Sequence, residues 1–137
     1  MALNTKEKGN IGLGRAIAYF TSLGHTVSIP LTDSQDYDLV VDMEDSLYKI
    51  QVKFTSQKAR NLSNDYCVGL RSISGSSKKE YKTVIHTKVD YLFVVSEDLK
   101  CYLIPIIDID QKAQITLNEL YYEKYGVMGE RSIPASC

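Results

Sequence analysis

The chain has 137 residues, of which 44% are hydrophobic and 24% charged, and its formal net charge is −1. These values are typical of one globular domain, residues 1–137, with a core of its own. There is no apolar run of about 18 residues and no basic stretch leading into a short apolar segment, so we expect no membrane span, no secretory signal and a cytoplasmic location. The three cysteines are widely spaced and form no CxxC or Cys/His cluster, which argues against a disulfide framework and a zinc site.

The charges are unevenly distributed along the chain. Residues 33–45 contain six acids and no base, whereas residues 58–88 contain seven bases and two acids. An acidic pocket for a cation beside a basic surface for a polyanion would have this charge pattern. An ordinary solvated surface would have it too, so the pattern alone leaves both interpretations open.

An amphipathic helix is predicted from Ile11 to Leu23, followed by Gly24 where a left-handed glycine often ends a helix. The glycines around its start do not follow a predicted strand, and they form neither a GxGxxG fingerprint nor a P-loop. They either bring backbone amides close to a phosphate or simply loosen the first helical turn. Residues Thr26–Leu31 then form a short predicted strand.

The stretch Asp36–Thr55 is predicted to be a β-hairpin, because two strand-like segments flank the polar turn Glu44–Ser46. Side chains on a strand alternate between faces, so Gln51 and Lys53 share one face, and Asp38 on the first strand can meet them. Periodicity alone favours the simpler interpretation, in which these polar side chains face solvent on the exposed side of an antiparallel hairpin.

The second half of the chain is predicted to contain a strand at Asp65–Leu70, a polar loop at Ser72–Lys79 and two apolar strands at Tyr91–Val95 and Cys101–Ile106. The two apolar strands form either a hairpin or separate strands of the core. A last helix is predicted to begin at Thr116 as N-cap, with Glu119 at capping-box spacing, and to end near Tyr125.

The order of helix, strand, acid-bearing strand and x-x-Lys-bearing strand is the arrangement of the PD-(D/E)xK nuclease core. Its two halves read here as Tyr37-Asp38 and Gln51-Val52-Lys53. The accompanying segments are KGNIG at 8–12, YDLV at 37–40, LYKIQVK at 47–53, LRS at 70–72, HTK at 86–88 and CYLIP at 101–105. Over roughly residues 8–109, the set resembles the small intron-encoded homing endonucleases of this superfamily, which use glutamine in place of the second acid.

This resemblance implies an α/β fold of the restriction-endonuclease-like type, with a mixed central sheet flanked by helices. It also implies a Mg²⁺-dependent endonuclease that hydrolyses both strands of a long, pseudo-palindromic target in double-stranded DNA. Members of the group work as homo-oligomers, so we expect a tetramer in preference to a dimer.

The resemblance also assigns roles to the residues of the hairpin. Asp38 would be the metal-binding carboxylate, the side-chain oxygen of Gln51 a second ligand and the backbone carbonyl of Val52 a third. Lys53 would orient or activate the attacking water, or stabilise the charged phosphate. These residue types suit a Mg²⁺ site, because Mg²⁺ prefers hard oxygen ligands and often takes only one or two carboxylates. A lysine suits the role beside the metal because its pKa shifts readily on burial.

Leu13 departs from the family pattern, because a glutamate usually follows the K-G-x-x-G segment in the first helix. Leucine cannot bind a metal, and Glu7 is a poor substitute at ~9 Å along a helix. We therefore expect weak metal affinity and feeble or absent cleavage. Leu13 is either a natural impairment or a replacement that leaves bound DNA uncut, and as a core leucine it would also fit the apolar face of the helix.

The basic segment supplies the predicted DNA contacts. Arginine can pair with guanine through two hydrogen bonds, so Arg60 and Arg71 are the candidates for base recognition. Phosphate is the more common partner of lysine and small polar side chains. The remaining candidates are Lys58, Ser72, Lys78, Lys79, His86 and Lys88. For His86 the favoured interpretation is an ordinary histidine on a polar face.

Two other functions fit the same residues. One is a non-catalytic DNA-binding protein that kept the fold, for which Leu13 is the main argument. The other is a junction resolvase or restriction-type nuclease, which would differ in preferring branched DNA or another linear target. Cleavage of linear duplex by a Leu13→Glu variant would separate them.

Overall fold

A six-stranded mixed sheet forms the centre of the computed structural model, which describes residues 2–60, 63–74, 80–83, 89–109 and 112–128, with the backbone alone for 71–74 and 80–83. In chain order the elements are α1 Thr5–Ser22, β1 Thr26–Ser28, β2 Leu39–Met43, β3 Ser46–Thr55, β4 Tyr66–Gly69, β5 Arg71–Ser74, β6 Glu80–Thr83, β7 Tyr91–Ser96, β8 Cys101–Pro105, a 3-10 turn Ile106–Ile109, β9 Gln114–Leu117, α2 Glu119–Tyr125 and β10 Gly126–Met128. The large sheet has the order β1-β2-β3-β7-β8-β10, and within it only β3 and β7 are parallel.

Helix α1 covers one face of the sheet, and a separate cluster of buried side chains covers the other. Ala16 and Phe20 of α1 are fully buried against a set of sheet residues that includes Leu39, Ile50 and Phe93. On the opposite face, the buried side chains of β7 and β8 pack against β4, β9 and the tyrosines of α2. The predicted α/β class, with a mixed central sheet flanked by helices, is confirmed.

Helix α1 begins six residues earlier than predicted, at Thr5 instead of Ile11. The side chain of Asn4 accepts a hydrogen bond from the backbone N–H of Glu7, and Oε1 of Glu7 accepts one from the N–H of Asn4, both at 2.9 Å. This capping box satisfies free amides of the first turn and offsets the low helix propensity of Gly9. The end was predicted well: Gly24 follows the helix with φ +86°.

The hairpin of β2 and β3 confirms the central prediction from the sequence. Glu44 and Asp45 form its turn with φ 50° and 67°, and Leu39 pairs with Ile50 across the strands. Two residues with positive φ match the right-handed twist of the flanking strands, which explains why so short a turn connects them. β7 and β8 pair antiparallel and form a second hairpin, which was one of the two alternatives predicted for these strands. Neither described helix combines the length and the hydrophobicity that a bilayer crossing requires.

Two predictions in the second half were wrong. Thr116 lies in β9, where it pairs with Cys67, and the N-cap of α2 is Asn118, whose side chain accepts a hydrogen bond from Tyr121 N at 2.9 Å. Pairing with β4 takes precedence over the local capping pattern, because it satisfies several backbone groups at once. The polar loop predicted from Ser72 begins as strand β5, which pairs with β6.

Candidate functional site

Gly12 allows α1 to lie very close to β3. A Cβ atom on this buried glycine would be 3.2 Å from Cγ1 of Val52 and 3.7 Å from Cβ of Phe54. Gly9 and Gly14, by contrast, have open space around the same position. The glycine at position 12 therefore brings the next residue, Leu13, to the strand that carries the Gln-x-Lys sequence.

Asp38 immediately precedes β2 and is held against β3 by two hydrogen bonds. Its backbone N–H donates to the carbonyl of Ile50, and its Oδ2 accepts from the N–H of Val52, both at 2.8 Å. A backbone N–H of a strand points along the sheet plane toward its neighbour. The carboxylate thus lies beside the edge of β3, between the face covered by α1 and the opposite face.

Gln51 and Lys53 project from the face opposite α1. Their partners across the parallel pair are Leu92 and Val94, which belong to the core cluster on that side. The Asp38 and Lys53 side chains do not form an ion pair within 4.0 Å. Lys53 is nevertheless close enough to Asp38 for each charge to influence the pKa of the other group.

Burial opposes the charges of both residues. Loss of hydration raises the pKa of Asp38, although the Val52 N–H and the Lys53 charge partly counteract it. Burial likewise lowers the pKa of Lys53, and the Asp38 charge partly counteracts that shift. A positive charge near Asp38 would favour the carboxylate form, and a lysine that releases its proton more readily can exchange protons with a bound water.

Gln51 has a buried polar atom that lacks a partner among the described residues. Its Oε1 is buried, and no hydrogen bond reaches it from any part of the chain that the structure describes. A buried polar atom without a partner calls for an explanation, and a bound cation or an ordered water would supply one. Because amide and carboxylate oxygens are suitable ligands for a divalent ion, the residues present fit such a group.

The donor set holds few acids. Within the described ranges, no three His, Cys, Asp or Glu side chains are grouped as metal ligands. Asp38 contributes the carboxylate and Gln51 a neutral oxygen, while Glu7 is engaged in the capping box of α1. The assignment of the Val52 carbonyl as a third ligand stays a prediction.

A cleft of about 320 Å³ opens beside Asp38 on the α1 side of the sheet. Its wall includes Leu13, Tyr37, Asp38 and Val52, and the loop between β1 and β2 contributes Asp33. Leu13 therefore lines the same cleft as the carboxylate, whereas Gln51 and Lys53 do not line it. Where the resemblance implies a glutamate, this cleft has an apolar side chain that also packs on the core of the α1 side.

The predicted DNA-binding residues are only partly described. Nζ of Lys58 donates to the carbonyl of Asn64 at 3.1 Å and lies 3.8 Å from the ring centre of Tyr66, so its charge already has local partners. Arg60 is exposed. The backbones of Arg71 and Ser72 lie in β5. Outside the described residues are Lys78, Lys79, His86 and Lys88.

Sequence reasoning missed the β1–β2 loop as part of the site. Asp33 was noticed only as one acid in a charged run, and no local pattern could place it in a cleft with Leu13. It also missed Lys8, whose Nζ donates to Oγ of Ser56 at 3.1 Å and so links the first turns of α1 to the residue after β3. The pairing of Asp33 with Leu13 in one cleft and the Lys8–Ser56 hydrogen bond each join segments that are distant in the sequence.

Two comparisons with known proteins bear on this site. The sequence model of the PD-(D/E)XK endonuclease family matches residues 3–125. The structure of a bacterial homing endonuclease, I-Ssp6803I, superposes with a TM-score of 0.73 and 29% sequence identity over 85% of this chain and 80% of that chain. No curated protein matches.

These matches confirm the predicted fold class and the resemblance to homing endonucleases of this superfamily. A nuclease of this fold implies DNA binding, and nucleases of this superfamily generally use divalent metal ions. The family match covers most of the chain, including α1, Asp38 and the Gln51–Lys53 segment. The chain therefore belongs to the PD-(D/E)XK endonuclease family.

Proposed function

We propose that this protein is a site-specific homing endonuclease that hydrolyses phosphodiester bonds of double-stranded DNA with Mg²⁺, and that Leu13 impairs its cleavage. The whole chain, residues 1–137, would form one nuclease domain. The observation that carries the proposal is the hydrogen bond from Val52 N to Oδ2 of Asp38, 2.8 Å long, on the strand that also carries Gln51, whose buried Oε1 has no hydrogen-bond partner among the described residues.

The chemistry follows from the residues that surround this bond. A divalent ion held by Asp38 and Gln51 would polarise the phosphate and lower the pKa of a bound water. The Val52 N–H orients the carboxylate so that its position does not depend on a flexible side chain. Lys53, with its pKa lowered by burial, would orient the attacking water, accept its proton or neutralise charge on the phosphate.

Leu13 explains why we expect weak cleavage. It lines the cleft beside Asp38 and adds no negative charge there. Divalent-ion affinity depends strongly on the number of charged ligands, and Gln51 is neutral. A site with a single ligating carboxylate would bind Mg²⁺ loosely and leave much of the protein without its metal.

The DNA partner and the assembly are part of the same proposal. Long pseudo-palindromic targets suit a symmetric protein, so we propose a homo-oligomer, a tetramer in preference to a dimer, acting in intron homing. Arg60 and Arg71 would contact guanines. Phosphates or nearby bases would be contacted by Lys58, Ser72, Lys78, Lys79, His86 and Lys88.

Restoring the glutamate tests the proposal. We expect Leu13→Glu to increase Mg²⁺-dependent cleavage of a linear duplex library by at least about tenfold over the unmodified protein. Leu120→Glu is the matched control, because Leu120 is 75% exposed on α2 and lies outside the cleft. Adding Lys53→Ala to Leu13→Glu should abolish the gain, and so should a chelator.

A non-catalytic DNA-binding protein is the second candidate, and Leu13 in the cleft is the observation that favours it. Salt-dependent DNA binding by Leu13→Glu without any cleavage would support this candidate and overturn the nuclease proposal. Preferential cutting of branched over linear DNA would instead identify a junction resolvase of the same fold. Absence of salt-dependent binding would reject all three functions.

A further inference from the structure

Three polar side chains alternate along β3 on the face opposite α1. They belong to Lys49, Gln51 and Lys53, and all three are partly buried. Alternation along a strand puts them on one face, and successive members lie ~7 Å apart because a strand rises about 3.3 Å per residue. Lys49 therefore flanks Gln51 on one side, as Lys53 does on the other.

The backbone of Lys49 is held from both directions by Asp90, which immediately precedes β7. Oδ2 of Asp90 accepts a hydrogen bond from the N–H of Lys49 at 2.8 Å, and the N–H of Asp90 donates to the carbonyl of Lys49 at 2.9 Å. These bonds fix the position of Lys49 in the strand without using its side chain.

The ammonium group of Lys49 lies over an aromatic ring beside the candidate site. Its Nζ is 5.4 Å from the ring centre of Tyr37, the residue that precedes Asp38. Within the described ranges, Lys49 forms no ion pair with a carboxylate at 4.0 Å or less. The positive charge that influences the pKa of Asp38 is that of Lys53. An aromatic face attracts a cation without removing its charge, so the charge of Lys49 remains available to an anion.

A DNA phosphate is the anion that suits this position. Lysine binds phosphate as a point charge, and phosphate contacts fix the register of a protein on the duplex. A DNA strand bound at Asp38 and Gln51 carries further phosphates on both sides of the one at the site. A long, flexible side chain one step along the same face of β3 can reach such a phosphate.

We propose that Lys49 binds a phosphate of the DNA backbone beside the candidate site. This inference rests on the proposed nuclease function and adds to its DNA-binding surface a residue of β3, outside the basic segment 58–88. Lys49 holds the DNA through its charge, so its contribution is the same for every DNA sequence.

The test measures how binding of a fluorescent linear duplex of random sequence depends on salt, by anisotropy in the presence of a chelator. We expect Lys49→Met to reduce the slope of log K against log salt concentration by about 0.9, the change for one lost phosphate contact. Lys49→Arg keeps the positive charge and should keep the slope. Lys49→Gln is a second neutral variant, for use if thermal melts show that methionine alters the fold.

Lys124→Met is the matched control. Nζ of Lys124 lies 5.3 Å from the ring centre of Tyr125, so this variant removes a charge and an equivalent ring contact from α2 instead of β3. It should leave the slope unchanged.

The outcomes separate this inference from the proposed function. If the neutral variants of Lys49 keep the slope of Lys124→Met, the inference about Lys49 is overturned and the proposed function stands. A slope reduced equally by Lys49→Arg would assign the effect to packing on Tyr37 and would also overturn the inference. If the unmodified protein shows no salt-dependent binding, the proposed function itself fails.

Discussion

The backbone N–H of Val52 donates to Oδ2 of Asp38 at 2.8 Å, where a backbone carbonyl would otherwise continue the pairing of β2 with β3. At this end of the hairpin a side chain, in place of a backbone carbonyl, thus accepts the hydrogen bond between the strands, and that side chain is the acid of the candidate site. Any change at Asp38 therefore affects both the proposed metal site and the pairing of β2 with β3.

Replacing Asp38 by Asn should change how stability depends on pH. Burial raises the folded-state pKa of Asp38, so the folded protein holds this proton more tightly than the unfolded chain does. The stabilisation from protonated Asp38 is present at low pH and lost as pH rises through the unfolded and then the folded pKa. Asparagine does not titrate, so its contribution is not lost as pH rises. Its side-chain oxygen can still accept the hydrogen bond from the N–H of Val52.

The measurement is thermal unfolding without divalent ions. The melting temperature of Asp38→Asn, relative to the unmodified protein, should be more favourable at about pH 7 than at about pH 3. Asp42→Asn provides the comparison, because Asp42 is an exposed acid within β2, four residues after Asp38. An advantage that shrinks toward neutral pH would contradict the assigned direction of the pKa shift.

Replacing Lys53 by Met should stabilise the folded protein. Burial lowers the pKa of Lys53, so at neutral pH the folded state is disfavoured by keeping this charge partly out of water. Lys53→Met should therefore raise the free energy of unfolding by up to about 1 kcal/mol in urea titrations. This penalty disappears as pH rises toward the pKa that Lys53 has in the unfolded chain, and the stability gained by Lys53→Met should disappear with it.

The matched control for Lys53 is Lys6→Met, which changes an exposed lysine of α1. It should leave stability nearly unchanged. If Lys53→Met destabilises the protein while Lys6→Met does not, burial of the charge is not the dominant effect at Lys53.

Gly12 and Gly14 should respond differently to alanine. A helical Gly→Ala change normally stabilises by about 0.5–1 kcal/mol, and Gly14 has open space for the added carbon. At Gly12 the new Cβ would lie 3.2 Å from Cγ1 of Val52, so α1 must move away from β3. We expect Gly12→Ala to be at least about 1 kcal/mol less stable than Gly14→Ala in urea unfolding.

The same pair tests the site. Because the shift of α1 displaces Leu13 from Asp38, Gly12→Ala should reduce the cleavage gained by Leu13→Glu, whereas Gly14→Ala should not. Equal effects of the two alanines on stability and cleavage would show that the close approach at Gly12 has no role in building the cleft.

Arg60 should contribute to sequence recognition if it contacts a guanine. Arg60→Ala should weaken specific DNA binding by about 1–3 kcal/mol and reduce discrimination at one base pair. A phosphate contact would instead weaken all sequences alike and lower the salt dependence. Lys112→Ala, at an exposed lysine away from the basic segment, is the control, and equal losses for both variants would reject a specific role for Arg60.

Much of the site's scaffold follows from local sequence. The alternation of residues in Asp36–Thr55 and the polar turn at Glu44 and Asp45 predicted the hairpin, because strand periodicity and turn chemistry act between near neighbours. The same alternation correctly placed Gln51 and Lys53 on one face. Local patterns were less reliable at Thr116, where strand pairing with Cys67 took precedence over a capping sequence.

By itself the sequence determined the helix, the hairpin and the types of residue that the site contains, since these depend on contacts within a few residues. The tertiary structure decided which of them meet. The close approach of α1 at Gly12, the position of Leu13 in the cleft beside Asp38 and the arrival of Asp33 from the loop all join distant segments. Such contacts depend on the packing of the whole core, and no local periodicity encodes them.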